Sequence, residues 1–140
     1  MIFEKDGKMK KIMIVDDDPY IVLSIKEGLK EFDKSFEFVD AENGLECLKK
    51  LKNGEKPDLI LLDIMMPNMD GWEVINKIHA NYDWNKIPII FLTAKVDDFT
   101  KTFASSIAMD FIEKPFEIAD LRNRIYSVLK KAYTKSTLEH

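Results

Sequence analysis

The segment 59–71, Leu-Ile-Leu-Leu-Asp-Ile-Met-Met-Pro-Asn-Met-Asp-Gly, constrains the fold of this chain more than any other. Four consecutive apolar residues lead directly into Asp63, and a Met-Pro turn and an Asp-Gly pair follow at once. An uninterrupted apolar run of this length is typical of a parallel strand that is buried on both faces. Asp63 would then lie at the C-terminal end of that strand, where open α/β sheets have their ligand crevice. This position makes Asp63 the first candidate site residue.

Five apolar runs occur along the chain, separated by segments with the apolar spacing of helices. The runs lie roughly 20 to 30 residues apart, which leaves room for a crossover helix between successive parallel strands. This alternation predicts an α/β fold, a (βα)5 doubly wound, three-layer sandwich with a five-stranded parallel sheet between helices. The predicted strands are 12–15, 36–39, 59–62, 87–92 and 109–112.

Capping residues predict where the helices begin. Asp18-Pro19 opens the first helix, because an acid is a good N-cap and proline is favoured at the first helical position. The second helix runs from near Asn43-Gly44 to Asn53-Gly54. The third begins at Asp70, with a glutamate at capping-box spacing. A fourth, weakly patterned helix is predicted near 97–106, and a fifth follows the last strand.

Apolar positions at helical spacing predict which face of each helix packs on the sheet. In the first three helices they are Ile21, Val22, Ile25, Leu29 and Phe32, then Leu45, Leu48 and Leu51, then Val74, Ile75 and Ile78. The last helix has the most regular stripe, formed by Ile118, Leu121, Ile125, Val128, Leu129 and Ala132.

Composition excludes several classes of protein. Hydrophobic residues make up 46% and charged residues 33% of 140 residues, which is ordinary for one globular domain. No run approaches the roughly 18 apolar residues of a membrane span, and no signal-peptide pattern is present. A net charge of -4 gives no electrostatic reason to bind nucleic acid. The single cysteine, Cys47, excludes an internal disulfide and favours a cytoplasmic location.

Three segments are expected along the chain. Residues 1–10 form a disordered or loose lead-in, residues 11–133 the folded domain, and residues 134–140 a C-terminal tail. The ending Leu138-Glu139-His140 is similar to the start of an expression-vector tag, so we expect the tail to be partly vector-derived.

Polar residues that suit phosphoryl chemistry stand at the ends of four predicted strands. They are Asp16, Asp17 and Asp18 after the first strand, Asp63 after the third, Thr93 after the fourth and Lys114 after the fifth. Crowded carboxylates raise one another's pKa, and a divalent cation removes that repulsion. Mg²⁺ prefers oxygen ligands and often binds one or two carboxylates together with a phosphate. The set therefore fits a phosphoryl group held by Mg²⁺, Lys114 and Thr93, with Asp63 as the nucleophile.

Four motifs occur in a fixed order, and together they resemble the receiver domain of two-component response regulators. They are Val15-Asp16-Asp17-Asp18-Pro19, Asp63-x-x-Met66-Pro67-x-x-Asp70-Gly71, Thr93-Ala94 and Lys114-Pro115-Phe116. The resemblance covers about residues 11–133 and implies a flavodoxin-like receiver fold. It implies that Asp63 is the phosphoacceptor. It also implies that Asp17, Asp63 and the backbone carbonyl of Met65 ligate Mg²⁺, with Asp16 held through water.

The same resemblance assigns roles to three further positions. Lys114 would pair with the phosphoryl oxygens, and Lys114-Pro115 would be a cis peptide bond, which proline tolerates at about 0.5–1 kcal/mol. Thr93 would move toward the phosphoryl group. Phe111 would take the position of the family's switch aromatic and turn inward on activation.

By resemblance, the phosphoryl donor is a sensor histidine kinase or a histidine phosphotransfer protein. The chain would be no enzyme beyond its own phosphorylation and slow autodephosphorylation. It would signal to an unknown output domain or partner through the face formed by the fourth helix, the fifth strand and the last helix. It would be a monomer or a weak dimer through that face. Candidate exposed residues there are Arg122, Tyr126 and Lys130. Direct binding of nucleic acid or membrane by this domain is not expected.

The sequence departs from the family pattern before Lys114. The usual Gly-Ala-Asp-Asp-Tyr is replaced by residues 107–111, Ile-Ala-Met-Asp-Phe, and the spacing from Thr93 to Lys114 is one residue shorter than usual. We therefore expect a short, tilted or mobile fourth helix. Phe111 has no hydroxyl group, so its position can depend only on packing.

Three other functions compete with a phosphorylated receiver. A receiver-like binding module that works without phosphorylation would not need the acids or Lys114, which are all present. A haloacid-dehalogenase-type phosphatase needs a second acid two residues after the nucleophile, where this chain has Met65. A flavodoxin-like FMN protein needs a loop rich in hydroxyls and glycine after the first strand, where this chain has three aspartates that would repel a phosphate.

Overall fold

The computed structural model describes residues 9–94, 102 and 110–138, with side chains as far as position 132. The strands in these ranges are β1 (Lys10–Val15), β2 (Phe36–Ala41), β3 (Leu59–Asp63), β4 (Ile89–Thr93) and β5 (Asp110–Glu113). The helices are α1 (Pro19–Phe32), α2 (Gly44–Lys52), α3 (Gly71–Ala80) and the C-terminal helix (Ile118–Leu138). The predicted fourth helix lies outside the described residues except for Thr102, and so does most of the predicted lead-in.

The sheet has five parallel strands in the order β2-β1-β3-β4-β5. This confirms the predicted doubly wound α/β fold. The chain leaves β1 toward one edge of the sheet and continues from β3 toward the other, so the strand order reverses between these two neighbours. Val15 lies opposite Leu62, so the carboxyl ends of β1 and β3 lie side by side. Such a reversal is where ligand crevices form in open parallel sheets.

Two hydrophobic layers sandwich the sheet, one on each face. Met13 and Ile60 belong to the layer under α2 and α3, whereas Ile12 and Leu61 belong to the layer under α1 and the C-terminal helix. Successive residues of a strand point to opposite faces. Both faces of β3 are therefore buried, which explains why its sequence is apolar at every position before Asp63.

Three helix starts agree with the capping residues predicted from sequence. The side chains of Asp18, Asn43 and Asp70 accept backbone hydrogen bonds from residues two or three positions later, at 2.8–3.0 Å. α1 has Pro19 at its first position, as expected. These signals are local, so tertiary structure did not need to be known to find them.

Three local predictions were wrong. β4 begins at Ile89 rather than at 87, because Pro88 has no N–H for the ladder and Ile87 closes a turn on Trp84. Leu45 is 62% exposed, since the buried face of α2 is set by the i, i+3, i+4, i+7 series that ends at Leu51. Phe32 is 46% exposed at the end of α1, outside the main core.

Two element boundaries differ from the predicted segment boundaries. β1 begins at Lys10, the last residue assigned to the lead-in, and that side chain is buried. The C-terminal helix continues to Leu138, beyond the predicted end of the domain at position 133. None of the helices that the structure describes is long and apolar enough to cross a membrane.

Candidate functional site

Three carboxylates converge at the carboxyl ends of β1 and β3. Asp16 directly follows β1, and Asp63 is the last residue of β3. One carboxylate oxygen from each of Asp16, Asp17 and Asp63 lies within 4.8 Å of the others. Asp16 and Asp63 are buried, whereas Asp17 is exposed at the mouth of the crevice. The adjacency of the two central strands therefore brings together acids that are 46 and 47 residues apart in sequence.

Asp16 is held in place from both sides. One carboxylate oxygen accepts a hydrogen bond from the Asp18 N–H at 2.9 Å, and the other accepts one from the Lys114 ammonium at 2.8 Å. Its own N–H donates to the Ala41 carbonyl, which extends the pairing of β1 with β2. Because the Asp16 side chain has no exposed surface, these hydrogen bonds take the place of its contacts with water.

Lys114 brings the positive charge of the site from the edge of the sheet. It follows β5, and its backbone N–H donates to the Thr93 carbonyl at 2.6 Å. The ammonium lies 2.8 Å from Asp16 and 3.5 Å from Asp63, with only 18% of the side chain exposed. The Lys114–Pro115 peptide bond is cis. One lysine thus neutralises part of a cluster of three acids.

The pKa of Asp63 is raised from an ordinary 3.8 to about 6. Burial is the largest cause, and the neighbouring charge of Asp16 adds to it. Lys114 and the Met65 N–H, which donates to Asp63 at 3.2 Å, act in the opposite direction. The site therefore has less positive charge than its carboxylates need.

A small oxygen-seeking cation fits this set of donors. Opposed ligands of Mg²⁺ are about 4 Å apart, so the three oxygens would reach one ion after small side-chain movements. The cation would supply the positive charge that offsets the negative charge of Asp63. The exposed position of Asp17 leaves an opening through which water or a phosphate could complete the coordination.

Thr93 lies on β4, next to β3, and Phe111 lies on β5, the strand beyond it. Thr93 is buried at the end of β4, opposite Glu113 in the register with β5. Phe111 lies opposite Phe91 and packs partly buried against the layer under α2 and α3. Met65, which follows Asp63 in the next loop, has a side chain that is 71% exposed.

Residues 12–126 match the family model of the response regulator receiver domain. The chain belongs to the receiver domain family. It is 36% identical over 124 residues to the alkaline phosphatase synthesis transcriptional regulatory protein PhoP of Bacillus subtilis, covering 88% of this chain and 50% of that protein. It is 37% identical over 134 residues to the response regulator ArlR of Staphylococcus saprophyticus, covering 94% of this chain and 57% of that protein.

Solved structures give the same result for the fold. A CheY-like response regulator receiver domain protein of Methanospirillum hungatei is 29% identical, with a TM-score of 0.80 over 91% of this chain and 99% of that one. The chain spans about half the length of the curated response regulators described above. It is therefore a receiver domain of two-component signalling, of the kind found in these longer proteins.

Gly71 of the receiver domain has a role that sequence reasoning missed. A Cβ atom at this position would lie 2.7 Å from both the Asp63 carbonyl oxygen and the Ile64 Cα. The Gly71 N–H donates to the Ile64 carbonyl at 2.8 Å, which brings the first turn of α3 against the end of β3. Asn68 adopts a φ of 70° in the loop between them. The sequence analysis used the Asp-Gly pair as a helix start and as part of the receiver motif, but gave Gly71 no packing role.

The C-terminal helix of the receiver domain packs on the sheet through most of the predicted stripe, but a residue off that stripe has an unpredicted contact. Tyr126 was expected to be exposed on the signalling face. Its hydroxyl instead donates to the buried Asp33 at 2.9 Å, and its ring stacks on Phe36. Burial and the bond to Asp33 raise the pKa of Tyr126 to about 12.

Arg122 was also expected to be exposed on the signalling face. Its guanidinium instead lies 4.1 Å from the centre of the Phe32 ring, so it is directed toward α1. Lys130 is exposed, as expected. Arg124 hydrogen-bonds Asp110 and the Phe111 carbonyl on β5, and the apolar stripe gave no reason to select it.

Proposed function

We propose that this receiver domain accepts a phosphoryl group on Asp63, in a Mg²⁺-dependent reaction, from a phosphohistidine of a sensor histidine kinase or histidine phosphotransfer protein. The observation that supports this most directly is the position of Asp63. Its carboxylate is buried at the end of β3, within 4.8 Å of oxygens of Asp16 and Asp17 and 3.5 Å from the Lys114 ammonium.

The chemical step needs one nucleophilic oxygen and several groups that neutralise charge. A carboxylate oxygen of Asp63 forms a bond to phosphorus as the bond from phosphorus to the donor imidazole nitrogen breaks, and the electron pair stays on that nitrogen. Phosphoryl transfer depends mainly on positioning and on neutralising the equatorial oxygens. Mg²⁺ bound to Asp17, Asp63 and the Met65 carbonyl, with Asp16 linked through water, would supply that neutralisation.

In this proposal Lys114, besides binding Asp16, also binds the phosphoryl group. Its ammonium is bonded to Asp16 and only 3.5 Å from Asp63, so a short movement would bring it to an oxygen of a phosphoryl group on Asp63. The Thr93 hydroxyl would donate to another of those oxygens. A phosphoryl group brings almost two negative charges, so it would draw both groups toward it and favour the active arrangement.

The output of the domain would depend on Phe111. It lies on β5, the strand that Lys114 directly follows, and its side chain is only partly buried. Inward rotation would reshape the face formed by the predicted fourth helix, β5 and the C-terminal helix, where partners would bind. In this proposal the domain catalyses only its own phosphorylation and slow dephosphorylation, is a monomer or weak dimer through that face, and works in the cytoplasm.

The proposal is tested by incubating the protein with acetyl phosphate, with and without Mg²⁺, and recording its intact mass. We expect one phosphoryl adduct that requires Mg²⁺ and is absent from Asp63→Asn. Asp70→Asn is the matched control, because Asp70 is in the following loop and only caps α3. An adduct that persists in Asp63→Asn would show another acceptor. Failure of the folded wild type to bind either phosphoryl groups or beryllofluoride would favour a module that works without phosphorylation.

Replacing Lys114 with methionine is expected to separate metal binding from the response to phosphorylation. Loss of the ammonium removes a cation that competes for Asp16, so Mg²⁺ should bind at least as tightly as in the wild type. The spectral change on addition of beryllofluoride should fall several-fold, because Lys114 would no longer bind the phosphoryl mimic. Calorimetry measures the first effect and NMR the second. Lys130→Met is the control for loss of a remote, exposed charge, and equal loss of both properties in Lys114→Met would contradict the assigned role.

A further inference from the structure

The backbone N–H and carbonyl of Phe111 do not pair with β4 but bond to side chains. β5 is the edge strand of the sheet that the structure describes, and it pairs only with β4. The Phe111 N–H donates to the Asp110 carboxylate at 2.8 Å, and the Phe111 carbonyl accepts from Arg124 Nη1 at 2.9 Å. Unpaired backbone groups of an edge strand usually bond to water. Here side chains satisfy both of them.

Arg124 closes this arrangement into a ring of hydrogen bonds. The same Nη1 donates to the Asp110 oxygen that accepts from the Phe111 N–H, at 3.1 Å. The Arg124 Nε faces the carboxylate of Asp120, one helical turn earlier, at 3.3 Å. Arg124 is therefore held by an acid on its own helix while it binds β5. The planar guanidinium is suited to this, because its donors have a fixed geometry.

Arg122 has no such contact, although it lies on the same helix and has the same side chain. Its guanidinium packs over the Phe32 ring and bonds its neighbour Asn123. Among the basic side chains of the C-terminal helix that the structure describes, Arg124 is the one that donates to the β5 backbone. The two arginines thus form a matched pair for experiment.

We propose that Arg124 is a positioning residue that holds the backbone of Phe111 and couples movement of its ring to the C-terminal helix. The switching role of Phe111 rests on the proposed function. Because the backbone is held in this way, the main activating change at Phe111 is rotation of its side chain. Any displacement of β5 that accompanies the rotation would act on the helix through the bond from Arg124 to the Phe111 carbonyl.

The hold on the backbone is tested first, in protein without metal or phosphoryl group. Hydrogen exchange of the Phe111 amide is measured by NMR in wild type, Arg124→Gln and Arg122→Gln. Arg124→Gln should speed exchange about tenfold, because the ring that includes this N–H is opened, whereas Arg122→Gln should leave it unchanged. Equal exchange in wild type and Arg124→Gln would overturn the proposal.

The coupling is tested with Mg²⁺ and beryllofluoride, by comparing backbone chemical-shift changes along residues 118–132. Arg124→Gln should bind beryllofluoride like the wild type, since Arg124 is not at the acid cluster, but lose more than half of the shift changes in the helix. Full-size changes in Arg124→Gln would overturn the coupling. If the wild type binds no beryllofluoride, the proposed function is refuted, and the coupling with it. The exchange measurement would still decide whether Arg124 holds the backbone of Phe111.

Discussion

Asp63→Asn is expected to raise the free energy of unfolding of the metal-free protein at neutral pH by up to about 3 kcal/mol. The folded state raises the pKa of Asp63 from 3.8 to about 6, chiefly through burial and the charge of Asp16. Each pKa unit corresponds to about 1.4 kcal/mol, so keeping this carboxylate ionised in the fold opposes folding. Asparagine has nearly the same shape and removes the charge.

The effect has a defined pH dependence. Above about pH 6 the carboxylate is ionised in both the folded and unfolded states, and the full penalty applies. Between about pH 6 and pH 4 the folded protein takes up a proton before the unfolded chain does, so the penalty disappears as the pH falls. The stabilities of wild type and Asp63→Asn should therefore converge near pH 4.

Urea denaturation at pH 4, 5, 6 and 7.5, in buffer with a chelator, measures this difference. Asp70→Asn should follow the wild type at every pH, because asparagine caps a helix about as well as aspartate. Saturating Mg²⁺ should stabilise the wild type more than Asp63→Asn, so the difference between their free energies of unfolding should become smaller at pH 7.5. A difference that stays constant from pH 4 to pH 7.5 would show that the pKa of Asp63 is not raised.

Gly71→Ala is expected to lower the free energy of unfolding by about 2–3 kcal/mol, the upper range for an overpacked site. The added methyl group would lie 2.7 Å from the Asp63 carbonyl oxygen and from the Ile64 Cα. Both are backbone atoms, so α3 or the end of β3 must shift. Since Asp63 is part of that backbone, Mg²⁺ binding should weaken as well. Urea denaturation and calorimetry measure the two effects.

Gly28→Ala is the matched control for this prediction. A Cβ at Gly28 would also be crowded, at 2.8–3.0 Å, but by side-chain atoms of Ile118 rather than by backbone atoms. Alanine also favours the interior of α1 over glycine by about 1 kcal/mol. We expect Gly28→Ala to change stability by less than about 1 kcal/mol and to leave Mg²⁺ binding intact. Similar losses in both variants would show that the backbone contact of Gly71 has no special importance.

Local signals explain which features could be predicted from sequence. The apolar run before Asp63 predicted a strand buried on both faces, and Asp18, Asn43 and Asp70 predicted three helix starts; the structure contains all of these. Each depends on residues within a few positions of one another. The convergence of Asp16 and Asp63 followed from the rule that parallel strands of a doubly wound sheet share one carboxyl edge.

Contacts between distant residues could not be predicted in the same way. The bond from Tyr126 to Asp33 joins residues 93 positions apart, and nothing near Tyr126 distinguishes it from an exposed tyrosine. Arg124 and Arg122 have similar local sequences, so their different directions depend on how the helix is rotated on the sheet. The clash that excludes a side chain at Gly71 likewise depends on the path of the loop after Asp63.

Besides its buried apolar stripe, the C-terminal helix is held by Arg124 at β5 and by Tyr126 at Asp33, and the last buried residue among its described side chains is Leu129. It continues as a helix to Leu138. At 1.5 Å per residue, the part after Leu129 extends roughly 14 Å. A tilt of about 10° at its base would move its far end by about 2 Å. Small movements of β5 would therefore be amplified toward the end of the C-terminal helix, far from the cluster of acids.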